Sequence, residues 1–211
     1  MKLFIYEHCP FCVRARMIFG LKAIPFELSV IMEGDVETPT RMVGRKVVPI
    51  LQKEDGSFMP ESMDIVRYVD NTKAPLIADK PVAAAIEAWC KAASDVVFNL
   101  AVPRFTKAEF KELSTPEARE AYRLREEKAF GDLAALIAKT PTLVAEVQQK
   151  LAELEPLLAN EQDISTTDFI LFPVLRSLTI VKNISFGPNV SHYLKRVADA
   201  SKVDLLTHQA I

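Results

Sequence analysis

The chain sets Cys9-Pro10-Phe11-Cys12 between a short hydrophobic alternation, Lys2-Leu3-Phe4-Ile5-Tyr6, and the start of a helical run. A strand that ends in a thiol at the head of a helix leaves few folds open. Unpaired backbone N–H groups and the helix macrodipole stabilise an anion at that point. The thiolate is the reactive form of cysteine, and such sites bring its pKa from roughly 8.5 down to roughly 3.5–7.5. A redox-active dithiol is the first reading. Half of a metal site and an inert packed pair are its alternatives.

The metal reading is the weaker one. A structural zinc site takes about four Cys or His ligands. The chain has 3 Cys, and the third, Cys90, stands alone. His8 is adjacent to the motif, but His192 and His208 are distant and form no closely spaced pair. A haem attachment motif requires His after the second cysteine, and Val13 occupies that place. We therefore expect a dithiol and no metal.

Composition narrows the setting. With 211 residues the chain has room for one large domain or two small ones. A formal net charge of −2 makes no electrostatic case for nucleic acid or an anionic membrane surface. No apolar run approaches the roughly 20 residues that span a bilayer. The N-terminus runs into Glu7 without the long apolar stretch of a signal peptide. Few cysteines and no export signal suggest a reducing compartment, and the cytoplasm is the expected location.

The first 72 residues read as a mixed α/β unit. After the first strand comes a helix from about Pro10 to Lys22, with proline suited to its first position. Phe26 to Ile31 reads as a second strand, and Glu33 to Gly44 as a loop or short helix. Val47 to Gln52 and Ser57 to Met59 suggest a hairpin around Asp55-Gly56. A helix from about Ser62 to Asn71 closes the unit, with Ile65, Val66 and Val69 as its buried stripe. The order is βαβ(α)ββα, consistent with a small α/β sandwich.

Residues 73–83, with Pro75 and Pro81, read as a linker. Residues 84–211 then read as an all-helical bundle. Ile86, Trp89, Cys90, Ala93, Val97 and Leu100 recur at helical spacing. Thr115-Pro116 and Thr140-Pro141 each read as a capped helix start. Leu143, Val147, Leu151, Leu154 and Leu158 line one face of a segment that Pro156 ends or kinks. Ser165 and Asp168 have the spacing of a capping box, flanked by Ile164 and Phe169 at the spacing of a hydrophobic staple. The apolar helix that follows reads as central in the bundle.

Taken together these motifs resemble a known family. Cys9-Pro10-Phe11-Cys12, Val48-Pro49 and Glu61-Ser62 are similar to a glutaredoxin domain. The helical part with Ser165-x-x-Asp168 is similar to the C-terminal half of glutathione transferases. A glutaredoxin site on a transferase-like body is the arrangement of the bacterial glutaredoxin 2 family. The stretches Glu37 to Gly44 and Pro60 to Val66 strengthen the likeness, which covers the whole chain.

The resemblance implies a thioredoxin-like α/β domain with an all-α C-terminal bundle, in glutathione-transferase-like architecture. It implies glutathione as reducing co-substrate and disulfide-containing or glutathionylated proteins as partners of a monomeric enzyme. Cys9, at the cap, is then the nucleophile, and Cys12, one turn in and more buried, the resolving thiol. Pro49 is expected to be cis and to turn the Val48 backbone toward the dithiol, where it pairs with the cysteinyl part of glutathione. Ser62 and the amides after it offer a site for the γ-glutamyl carboxylate, and Glu61 for the ammonium. Read without the resemblance, Val48-Pro49 is a strand start and Ser62 a plain helix cap.

Two other classes stay open. A glutathione transferase would use Tyr6 to stabilise the glutathione thiolate, although alternation with Phe4 favours a packed strand residue. An interaction module similar to chloride intracellular channel proteins shares the fold and a C-P-F-x motif. Cys12 and the lack of a long apolar run argue against it. Cys90, beside Trp89, reads as a core thiol, His8 as a solvent-facing strand end or a tuner of Cys9, and Arg14 and Arg16 as solvated charges on a surface helix or, as the alternative, a source of positive potential near the thiolate.

Overall fold

The computed structural model describes residues 1–77, 82–159 and 163–211. Part of the expected linker, residues 78–81 with Pro81, lies outside the described residues.

The N-terminal part follows the expected order: β1 (Lys2–Ile5), α1 (Pro10–Leu21), β2 (Glu27–Val30), α2 (Glu37–Val43), β3 (Ile50–Gln52), β4 (Phe58–Met59) and α3 (Ser62–Asp70). The four strands form one sheet in the order β2-β1-β3-β4. β1 runs parallel to β2 and antiparallel to β3, with Leu3 opposite both Leu28 and Leu51. The hairpin between β3 and β4 turns at Gly56, whose φ of 83° suits a residue without Cβ. Asp55 secures that turn by accepting from the Ser57 N–H at 2.9 Å.

α1 is enclosed. Cys12, Val13, Ala15, Met17, Ile18 and Phe19 are all buried, which covers most of its circumference. One flank packs on α3; the rest meets α8 (Thr166–Leu178) and α9 (Pro188–Ser201) of the helical part. The expectation of a surface helix is thus corrected. Arg14 and Arg16 are half-buried, and burial lowers both guanidinium pKa values from the ordinary range. Only their long stems make such a position tolerable. Lys22, just past α1, meets the Asp70 carboxylate at 2.9 Å, and that carboxylate also accepts from the Leu76 and Ile77 N–H groups.

The helical part contains α4 (Ala84–Phe105), α5 (Pro116–Phe130), α6 (Leu133–Ala138), α7 (Thr140–Leu154), α8 and α9. α4 is its axis and packs against α6, α7 and α8. Thr115 caps α5 by accepting from the Ala118 N–H. At Thr140 the expected cap is replaced: Lys139 holds the cap position, and the Thr140 hydroxyl donates back to the Ile137 carbonyl while accepting from Arg104. α7 ends at Leu154, two residues before Pro156, and a 3-10 turn over Glu155–Leu158 follows. The capping box forms. Ser165 Oγ accepts from the Thr167 N–H at 3.2 Å, and Asp168 accepts from the Ser165 N–H at 2.7 Å. α6 and α9 carry no separate expectation above, although Gly187-Pro188 opens α9 with a proline at its first turn. No helix among the described residues is long and apolar enough to cross a membrane.

Candidate active site

Cys9 occupies the cap position of α1 with extended backbone, φ −68° and ψ 122°, so β1 delivers it to the helix head. It is half-buried, whereas Cys12, one turn in, is fully buried and accepts the Tyr6 N–H on its sulfur at 3.4 Å. The Cys9 thiol pKa is brought down to about 7. Its largest cause is a hydrogen bond from the Cys12 thiol, ahead of the His8 ring and the Phe11 and Cys12 amides, with burial opposing. Helix position thus ranks behind the partner sulfur. The same pairing, with stronger burial, pushes the Cys12 thiol well above its ordinary value. One sulfur is anionic near neutrality and its neighbour holds the proton.

Cys9 opens onto a cavity of about 450 Å³ between the sheet and the helical part. Val47 and Val48 form its wall from the loop before β3. Phe98, Val102 and Phe105 of α4, with Tyr122 and Phe130 of α5, face them. Phe11, inside the dithiol motif, is 51% exposed at the mouth and carries the Arg14 guanidinium over its ring at 4.8 Å. The cationic lining comes from Lys46 and Arg125, both held by the buried Glu33 carboxylate at 3.0 and 2.7 Å.

His8 also lines the cavity, and the expectation of a solvent-facing residue is corrected: it is 5% exposed. Its ring stacks on Tyr6 at 5.7 Å and meets Phe105, Phe110 and Tyr122 at 5.0–5.7 Å. Its Nδ1 lies 2.7 Å from Glu112 Oε1, and its backbone N–H donates to the same oxygen at 3.0 Å. Glu112 is fully buried in the 3-10 turn Lys111–Leu113 of the helical part. Burial alone would raise its carboxyl pKa, yet the bonds from His8 outweigh this and hold it below the ordinary value. The carboxylate is therefore ionised and Nδ1 carries the hydrogen.

The other residues singled out divide into groups. Val48 meets the cavity with Cys9, and the Val48–Pro49 peptide is cis. Glu61 and Ser62 stand at the head of α3, outside that lining. Glu61 is exposed, pairs with Arg45, and has a φ of 72°. Ser62 is buried. Tyr6 is buried on the cavity side of β1, and burial raises its phenol pKa. Cys90 is a core thiol pushed up to about 11 by burial. No cluster of metal-binding side chains occurs among the described residues. Sequence reasoning missed Glu33, Lys46, Glu112, Tyr122 and Arg125. None sits in a motif: α5 carries Tyr122 and Arg125 into the lining, Lys46 comes from the loop before β3, and Glu33 and Glu112 act behind it by holding Lys46, Arg125 and His8.

Fold and site together define a thiol–disulfide oxidoreductase carried on a glutathione-transferase-like body. Residues 85–210 match the family described as "Glutaredoxin 2, C terminal domain", and residues 3–76 match "Glutathione S-transferase, N-terminal domain". Glutaredoxin 2 of Escherichia coli K12 is 44% identical over 216 residues, covering 100% of both chains. The crystal structure of glutaredoxin 2 from Salmonella typhimurium in complex with glutathione superposes with a TM-score of 0.96 at 44% identity, covering 100% of this chain and 98% of that one. A glutathione S-transferase from Sinorhizobium meliloti shares the fold, with a TM-score of 0.67 at 14% identity over 99% of this chain and 97% of the other. The chain belongs to the glutaredoxin 2 family.

Proposed function

We propose that the protein uses glutathione to reduce protein disulfides and glutathione mixed disulfides through Cys9 and Cys12. The observation that carries this reading is the thiol pair itself: Cys9 at about 7, open to a cavity, with a buried proton-bearing Cys12 beside it. The Cys9 thiolate attacks a disulfide sulfur, forming a mixed disulfide as the original S–S bond breaks. Glutathione thiolate then attacks that mixed disulfide and releases Cys9. Alternatively Cys12 attacks, closing a Cys9–Cys12 disulfide that two glutathiones reopen. Near-neutral acidity also makes Cys9 a good leaving group, so its mixed disulfides resolve readily.

Glutathione fits along Val48 and Pro49, with its cysteinyl backbone paired to Val48 as a short added strand. Its γ-glutamyl carboxylate lies at the amides that open α3 behind Ser62. Glu61 exchanges Arg45 for the ammonium. The working units are residues 1–72 as redox domain, 73–83 as linker and 84–211 as helical domain. The enzyme acts as a monomer in the cytoplasm on disulfide-containing or glutathionylated proteins.

The test is reduction of a glutathionylated small disulfide by the protein and by its Cys9→Ser and Cys12→Ser variants. Loss with the first and survival with the second is expected for glutathione-linked chemistry; equal loss indicates an obligatory dithiol route. Tyr6 lines the same cavity, so conjugating activity is assayed alongside. Conjugation that survives in Cys9→Ser while disulfide reduction is lost would point to a second, transferase activity.

A further inference from the structure

Beyond its part in lowering the Cys9 pKa, His8 has no role in the steps above, and its surroundings are unusual for a core histidine. It lines the same cavity as Cys9, with one ring nitrogen taken by the buried Glu112 carboxylate at 2.7 Å. Nδ1 keeps the hydrogen of that bond, so Nε2 is the nitrogen at which the ring takes up and gives back its second proton. The ring is wedged among Tyr6, Phe105, Phe110 and Tyr122 and cannot turn away without breaking these contacts. Glu112 is held by its backbone carbonyl, which accepts from the Glu33 N–H at 3.0 Å, and by its two bonds from His8, while its other carboxylate oxygen has no hydrogen-bond partner among the described residues. The Glu112 carboxylate, the His8 ring and the Cys9 thiol thus follow in sequence from the helical part to the cavity, and the ring's charge is one of the influences that lower the Cys9 pKa.

The cavity poses a problem that this arrangement answers. When a mixed disulfide is cleaved there, the departing sulfur takes the electron pair of the broken bond. Its walls are mostly aliphatic and aromatic, and a thiolate released among them is poorly solvated. The two nearby cations, Lys46 and Arg125, are already engaged by Glu33. Arg176 donates to the Asp204 and Glu7 carbonyls, Arg16 lies near Glu7 and Asp204, and neither guanidinium lines the cavity.

We propose that His8, held and charge-balanced by Glu112, is a catalytic residue that gives its Nε2 proton to the sulfur leaving when Cys9 attacks. The Cys9–S bond forms as the substrate S–S bond breaks, and the leaving sulfur departs as a thiol. His8, now neutral, accepts the proton of the incoming glutathione thiol, which then attacks the Cys9 mixed disulfide and frees the Cys9 thiolate. One disulfide and one glutathione thiol give one thiol and one glutathione disulfide, and His8 ends as it began. Glu112 is a positioning residue in this scheme, acting through the imidazole. The proposal rests on the thiol–disulfide activity proposed above.

A proton donor to the leaving group matters in proportion to that group's basicity, which separates chemistry from folding. The probes are mixed disulfides of glutathione with an alkyl thiol and with nitrothiobenzoate, an aryl thiol that leaves without help. For His8→Gln, kcat/KM should fall about 10²-fold on the alkyl substrate, within the usual range of general acid catalysis, and about tenfold less on the aryl one. Glu112→Gln should show the same asymmetry, and Glu112→Asp should recover part of it. Equal losses on both substrates, or no loss, would overturn the proposal. Should the variants fail to fold, the wild-type protein still decides. A solvent deuterium isotope effect on the alkyl substrate, absent on the aryl one, is expected, and no effect on either overturns it. Wild-type protein that turns over neither substrate would instead refute the oxidoreductase reading itself.

Discussion

A Cβ built on Gly20 would lie 1.7 Å from the backbone carbonyl oxygen of Ser201, so α1 and α9 meet backbone to backbone at that point. Gly20 has helical conformation and no need of a positive φ; what it supplies is the space of a missing methyl. Gly20→Ala should therefore destabilise the protein despite alanine's better helix propensity, because Ser201 backbone cannot yield as a flexible side chain does. Overpacking typically costs about 1–3 kcal/mol. Thermal unfolding of the variant should show a clear fall in midpoint, and an unchanged midpoint would mean that α9 sits further from α1.

The Cys12 thiol is the largest influence holding Cys9 at about 7. Alkylation of Cys9, followed against pH by mass spectrometry, should show a midpoint near that value. Cys12→Ala removes the donor, destabilises the thiolate and moves the midpoint up toward the ordinary thiol value of about 8.5. Cys12→Ser retains an O–H donor and should move it less. A midpoint that stays put in Cys12→Ala would assign the acidity to the helix amides instead.

Lys22 and Asp70 form an almost buried pair, with side-chain exposures of 3% and 8%. Burial pushes the Asp70 carboxyl up, but donation from Leu76, Lys22 and Ile77 outweighs it, and the folded pKa lies below the ordinary value. A depressed folded pKa contributes stability above the unfolded value of about 3.9, and this is lost as pH falls through the folded pKa. Asp70→Ala should cost about 1–3 kcal/mol at neutral pH, because it removes the charge partner of the Lys22 ammonium, which keeps the Asp70 and Ala74 carbonyls, and the acceptor of the Leu76 and Ile77 N–H groups. The cost should shrink in acid, which chemical denaturation of both proteins at pH 7 and pH 3 will show.

The Ser165–Asp168 box closes the buried head of α8, where water is a poor substitute. Ser165→Ala should lose about 0.5–2 kcal/mol in denaturant unfolding and leave disulfide exchange near the wild-type rate. A loss of activity without a loss of stability would contradict the assignment of this motif to folding alone.

Where the chain carries local chemistry, the sequence was readable. Pro10 marked the start of α1, Asp55-Gly56 the hairpin, and Ser165 the head of α8, each within a few residues. These signals act over one turn, so they survive without knowledge of the tertiary fold. The burial of Arg14, Arg16 and His8 was not readable for the opposite reason, although the alternative of His8 as a tuner of Cys9 agrees with its part in lowering that thiol. Their burial is created by α8, α9 and the 3-10 turn around Glu112, and no periodicity within α1 announces those neighbours. Glu112 has an ordinary polar context, Lys111-Glu112-Leu113, and gains meaning only by facing His8 across 104 positions of chain. The dithiol was therefore legible and its cavity was not.

The enclosure of α1 bears on how far this enzyme can be trimmed. Someone wishing for a pocket-sized reductant would be tempted to excise the sheet with its two cysteines and discard the remainder. That fragment would bare the flank of α1 that now rests on α8 and α9, where Gly20 meets the Ser201 backbone, and turn it to water. Sulfur and shelter were shaped as a single casting, and the smaller piece would clump before it reduced anything.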